Sequence, residues 1–402
     1  MTTSRLVPLQ IAVVLQGFLL WAPIEKLFMT EIGFDAATVG VMAAAYAALV
    51  PIVEIPSGLL ADRWSRRGVL MVASLALSAG ALVGGLSTGV ASYICSALLL
   101  GVYFAMYSGT MDAIVYDTVL EETGGSDDFE RRIGRIRVLE SASLVVSSLL
   151  GGAIAAVTGT RFTYFVTVPF TLLSLLAYLR FREPQLHRAA APQSLRSQLA
   201  VTFTTITRRR RLLPIITMAA LTAVVLQLIF EFGPLWLVAL AIPAVFYGPH
   251  WAGLVSALGL GGLLAGRMGL HRPIAAVAVG TAMTAAAFLL TRPTPMIVVA
   301  AAQISLAILM VAVSIHITRL LHDEIPSAVR AGVASGVSAV SWIVFLPIAL
   351  GFGVISAATG VHTAGWLLVA LTAGTAVLMT LTAIRSGRTP AETPPTVATV
   401  ES

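Results

Sequence analysis

Apolar residues run through this chain in long blocks, broken by short turns that carry most of the charge. A helix rises about 1.5 Å per residue, so about 20 apolar residues cross a hydrocarbon core about 30 Å thick. The blocks therefore predict spanning helices at about 6–30, 38–61, 69–87, 92–118, 138–158 and 162–181. After a polar stretch the pattern resumes at about 212–239, 245–266, 273–291, 296–317, 332–356 and 364–385. The expected fold is an all-α membrane protein with twelve spans in two sets of six. Its parts are a first half at 1–181, a linker at 182–211, a second half at 212–385 and a tail at 386–402. The linker is expected to lay an amphipathic segment, 194–207, on the inner leaflet, with Arg208–Arg211 among anionic head groups. The Pro- and Thr-rich tail reads as disordered.

Composition agrees with the pattern. Hydrophobic residues make up 57% of the 402 and charged residues only 11%, where a soluble domain carries about 25%. A net charge of +6 would suit a nucleic-acid binder, but the arginines sit in the turns, where positive charge sets topology. With the N-terminus inside, one side receives Arg5, Arg63, Arg66, Arg67, Arg131, Arg132, Arg135, Arg137, Arg267, Arg272, Arg319, Arg330, Arg385 and Arg388. Only Arg161 and Arg292 fall opposite. Both termini are thus expected in the cytoplasm and no nucleic-acid partner is implied. Cys95 is the single cysteine, which excludes an intramolecular disulfide. The first apolar segment has no small-residue cleavage site after a short core, so it reads as a span rather than a removed signal peptide.

A short motif occurs twice. Gly58-Leu59-Leu60-Ala61-x-Arg63 returns as Gly262-Leu263-Leu264-Ala265-x-Arg267, in the turn after the second span of each half. A repeat of that period implies two six-helix halves related by an axis along the membrane normal. The full first copy, GLLADRWSRR, resembles the loop signature between spans two and three of the major facilitator superfamily, with Ser65 in place of the usual glycine. SGTMDAIVYD, Ser108 to Asp117, is similar to a stretch in the fourth span of bacterial drug-efflux-like members. Two positions depart from the proton-coupled pattern: Met106 or Tyr107 stands where the fourth-span arginine would be, and Ser147-Ser148 replaces a Gly-Pro pair.

The resemblance implies a secondary transporter of small molecules in a bacterial inner membrane, working as a monomer by alternating access. It implies a cytoplasmic latch in which Gly58 and Asp62 meet the start of the eleventh span at Ala331–Gly336. Asp117 would pair with Arg63 or Arg66, beside Arg67. It also implies that spans one and seven line the central cavity. Acids inside spans are costly unless they face a cavity or a partner. Glu25, after Trp21, and Glu231, after Gln227, are therefore candidates for a coupled proton or a cationic substrate, Glu25 also having Lys26 beside it. Glu54, Asp112 and Glu140 sit at inner ends near Arg63 and Arg137, equally suited to a gate of ion pairs or to proton handling. Gln16 and Gln303 read as substrate ligands or interhelical ties, His316 as a packing residue, and Tyr103, Tyr107 and Tyr116 as cavity lining.

No phosphate loop, metal-spaced cluster or nucleophile triad is visible, so no cofactor or metal is expected and a gradient must supply the energy. A proton entering gains about 2.3 kcal/mol per 100 mV. The leading reading is proton-coupled export of small organic or drug-like molecules. The alternatives are an importer or uniporter of a nutrient, and, from another class, a membrane-embedded enzyme or lipid-handling protein.

Overall fold

The computed structural model describes residues 5–124, 128–184, 212–324 and 330–386, and every regular element among them is a helix. The first span is broken into α1 (Val7–Gln16), a 3-10 turn (Ala22–Ile24) and α2 (Glu25–Glu31). It is followed by α3 (Ala36–Arg63), α4 (Arg66–Leu86), α5 (Val90–Thr123), α6 (Phe129–Thr158) and α7 (Thr160–Arg180). The second half opens with α8 (Leu212–Phe232) and α9 (Pro234–Ala239), two pieces of one span. A 3-10 turn (Ala244–Phe246) leads into α10 (Tyr247–Ala265), α11 (Pro273–Leu289), α12 (Met296–Glu324), α13 (Arg330–Thr359) and α14 (Val361–Ser386).

Nine segments of the described residues are long and apolar enough to cross a membrane, α8 and α9 counting as one. The three other expected spans fall short for local reasons. The first is interrupted at Gly17–Trp21, α10 starts on the weakly apolar Tyr247-Gly248-Pro249-His250, and α11 has 17 residues. With these, each half holds six segments. Several helices outrun their predicted ends: α5 reaches Thr123, α6 starts at Phe129 rather than 138, and α12 reaches Glu324. Hydropathy marks where lipid ends, whereas backbone hydrogen bonding continues into the head-group region. The expected segment at 194–207 and the tail beyond Ser386 lie outside the described residues.

Helix ends follow their residues. Asp35 caps α3: its Oδ1 accepts from the Thr38 backbone N–H at 2.8 Å, and the Thr38 hydroxyl oxygen accepts from the Asp35 N–H at 2.9 Å. Ser65 caps α4 by accepting from the Gly68 N–H at 2.9 Å.

Lipid offers no hydrophobic drive between helices, so close packing and buried hydrogen bonds hold the bundle. In the first half, α4 lies against α5 and α7; in the second, α11 lies against α14 and α10 against α12. The halves meet where α3 crosses α13 and α6 crosses α10. Glycines allow both crossings. A β-carbon on Gly40 would come within 2.8 Å of the Ala349 carbonyl oxygen, and one on Gly152 within 2.8 Å of the Gly248 nitrogen. Both contacts lie at the end of the bundle that carries Lys26. The halves thus meet closely at the Lys26 end.

Candidate substrate and coupling site

The breaks in spans one and seven set the site. Pro23 lies in the 3-10 turn before α2, and Pro234, which has no N–H, starts α9 directly after Gly233. Gln303 supports the second break, donating from Nε2 to the Gly233 carbonyl at 3.1 Å while its Oε1 meets His250 Nε2 at 2.7 Å. The short pieces α2 and α9 touch across the halves.

At that junction Lys26 is 2% exposed and bridges two acids: Nζ lies 2.9 Å from Glu25 Oε2 and 2.5 Å from Glu231 Oε1. Glu25 Oε1 accepts from the Tyr93 hydroxyl at 2.9 Å, and that hydroxyl lies 2.7 Å from the Tyr164 hydroxyl. Tyr93 has a single proton and gives it to Glu25, so Tyr164 donates to Tyr93. Trp21 stacks on Tyr164 at 5.3 Å, but its buried Nε1 has no partner among the described residues. Glu25 pairs with its neighbour Lys26, and Glu231, with no basic residue near it in sequence, is not isolated either. Folding places the cation beside Glu25 against the acid of the other half as well.

A buried ammonium needs an opposite charge, and two carboxylates around one ammonium leave the cluster with one negative charge in excess. The two acids differ. Glu25 takes donors on both oxygens and its side chain is 16% exposed. The Glu231 side chain is 28% exposed, and among the described residues nothing donates to its Oε2. Gln227 lies one turn before Glu231 on α8, and its buried Oε1 has no partner among the described residues.

Other predicted site residues fall elsewhere. Gln16 donates to Ser74 Oγ at 2.6 Å and accepts from the Tyr178 hydroxyl at 3.1 Å, tying α1 to α4 and α7. Gln16 thus ties helices together, as does Gln303, which holds the α8–α9 junction. Tyr103 and Tyr107 are buried and stacked on each other at 5.3 Å rather than open to a cavity. Asp112 and Glu140 share Arg137, at 2.7 Å and 3.1 Å, which the early start of α6 brings within reach. Glu54 has no ion pair among the described residues, and His316 is half-buried.

At the Arg66 end, the Arg66 guanidinium pairs with Asp117 and donates to the Ala113 carbonyl at 3.1 Å. Arg67 donates to the Phe181 carbonyl at 3.1 Å, and Arg63 is exposed. Gly58 has no close neighbour among the described residues, and the side chains of Asp62 and of Ala331–Ser335 lie outside them. Sequence reasoning missed Glu183. Its carboxylate accepts from the Ser65 hydroxyl at 2.5 Å and from the Arg66 N–H at 2.6 Å. The available signal was an acid just past the sixth span, on the side of the arginine turn. Tyr93, Tyr164 and the reach of Lys26 to Glu231 carried no signal in one sequence.

A family model described as Major Facilitator Superfamily matches residues 6–351. Multidrug resistance protein 1 of Bacillus subtilis (strain 168) is 25% identical over 170 residues, a match spanning 42% of each chain. Among solved structures, the nucleoside transporter NupG is similar with a TM-score of 0.75 at 16% identity, covering 96% of this chain and 100% of that one. A mutant of the peptide transporter POT in complex with alafosfalin is similar with a TM-score of 0.73 at 14% identity, covering 95% of each. At such identities the structural likeness concerns the fold alone.

Proposed function

Since the chain belongs to the major facilitator superfamily, and is a membrane transporter rather than an enzyme, we propose that it exports small organic molecules in exchange for protons. The single observation that carries this reading is the Glu25–Lys26–Glu231 bridge, which joins the two halves where they meet closely. The arginine distribution puts the Arg66 end in the cytoplasm. In this reading the bridge closes the outer end, and substrate enters from the cytoplasmic side.

A cationic substrate entering from the cytoplasm then takes Glu231 from Lys26, the outer contact weakens, and the halves swing about the α3–α13 and α6–α10 crossings. Outside, a proton displaces the substrate from Glu231, and the proton is released inward as the Lys26 bridge re-forms. Glu25 accepts from both Tyr93 and Lys26. Export is supported by the likeness to a protein named for multidrug resistance, over the 42% of the chain that aligns.

The test is uptake into inverted vesicles under an imposed pH gradient. Glu231→Gln is expected to uncouple uptake from the gradient. Gradient-driven uptake that survives Glu25→Gln and Glu231→Gln together overturns proton coupling through these acids. A second reading, a nutrient importer or uniporter, is favoured by Met106 and Tyr107 standing where proton-coupled members carry an arginine. Counterflow of substrate with no gradient imposed would select it.

A further inference from the structure

Beside the Lys26 cluster, α8 carries two acceptors left unpaired among the described residues. Lys26 occupies Glu231 Oε1 and leaves Oε2 open, while Gln227 Oε1 is buried without a partner among the described residues, one helical turn away. Residues four apart on a helix share a face, about 5–6 Å between β-carbons. A buried acceptor with no donor is costly, so a ligand able to donate there is favoured over one that is not. The three charges of the cluster sum to minus one, and a single positive charge brings them to neutrality. A second would again leave a net charge in a poorly solvated place.

An aromatic pair spans the halves. The Tyr46 ring on α3 lies 5.7 Å from Trp342 on α13 and 6.3 Å from the exposed Phe104. Tyr46 and Trp342 are both half-buried, leaving ring surface for a planar group.

We propose that Glu231 Oε2 and Gln227 Oε1 form a binding site for a monocation with at least two N–H donors on a flat apolar body, such as an aryl amidinium or arylguanidinium. A quaternary ammonium of the same size satisfies the charge but leaves the Gln227 oxygen unpaired, and the site discriminates against it for that reason. This rests on reading Glu231 as the coupling acid of an exporter, but binding is measurable without any gradient.

The experiment is calorimetric titration of the purified protein at neutral pH with benzamidine and with phenyltrimethylammonium, two aryl monocations that differ in N–H donors. Benzamidine is expected to bind at least about tenfold more tightly. Gln227→Leu is expected to remove most of that difference, leaving phenyltrimethylammonium unchanged, and Glu231→Gln to weaken both. Equal affinity of the two ligands for the unaltered protein overturns the proposal, as does no detectable benzamidine binding or a discrimination that survives Gln227→Leu. The ligand comparison on the unaltered protein stays decisive if a variant fails to fold. Loss of proton-driven export with intact discrimination would sink the export reading alone; export without discrimination would sink the substrate class alone.

Discussion

Two carboxylates that share one ammonium look equivalent until their other oxygens are followed. Glu25 is held by Tyr93 and Lys26, whereas Glu231 has an open oxygen and more exposure. Lys26→Met leaves both acids without their cation. Removing one partner of a buried ion pair costs about 3–5 kcal/mol, so a large drop in melting temperature is expected in detergent. Adding Glu231→Gln to Lys26→Met should restore part of it, because the charge left behind causes most of the loss; strictly additive losses would argue against the bridge. Asp35, outside the spans, gives a smaller effect whose sign is set by pH. The Thr38 backbone N–H, which it caps, holds its carboxyl below the ordinary range. The charged cap therefore stabilises above the unfolded value of about 3.9, and the gain fades as pH falls through the folded one. Asp35→Ala should cost about 1 kcal/mol at neutral pH, and acid unfolding curves should converge below about pH 4.

At the scale of elements, the α3–α4 turn is gripped from two sides. Asp117 on α5 holds the Arg66 side chain, and Glu183 past α7 holds the Arg66 backbone and Ser65. The resemblance allowed Asp117 either Arg63 or Arg66; packing of α4 on α5 selects Arg66, while Arg63 is exposed. Arg66→Asp or Asp117→Arg alone should lower thermal stability, and the exchanged pair should regain part of it. Ser65, a departure from the superfamily's glycine, caps α4 and donates to Glu183. Ser65→Gly should cost only a few tenths of a kcal/mol through the cap, and more through the lost Glu183 contact. Equal melting-temperature losses for Ser65→Gly in the presence and absence of Glu183→Ala would confine its role to the cap.

At the scale of the whole molecule, the glycine crossings and the ion bridge close one end together. A β-carbon on Gly353 would come within 2.7 Å of the Ala36 carbonyl oxygen. Gly353→Val should therefore force α3 and α13 apart at the Lys26 end. Cysteine pairs placed across that end, in a protein with Cys95 replaced, should lose crosslinking yield; unchanged yield would mean the crossing does not govern closure.

The one-dimensional pattern determined the membrane class, the arginine asymmetry and the family signature, because these are properties of local hydropathy and of residues close in the chain. It also exposed Glu25 and Glu231, since acids are rare inside apolar blocks. Tertiary structure decided what those acids do to each other. Lys26 reaches Glu231 because α2 and the α8–α9 span pack across the halves, with 205 residues between the two side chains in sequence. The same packing engaged Gln16 and Gln303 between helices and left the Gln227 oxygen without a donor among the described residues. Hydropathy reports how much of a side chain avoids water, but not which donor stands opposite it. That depends on how helices from both halves are rotated and crossed, and only the assembled bundle contains it.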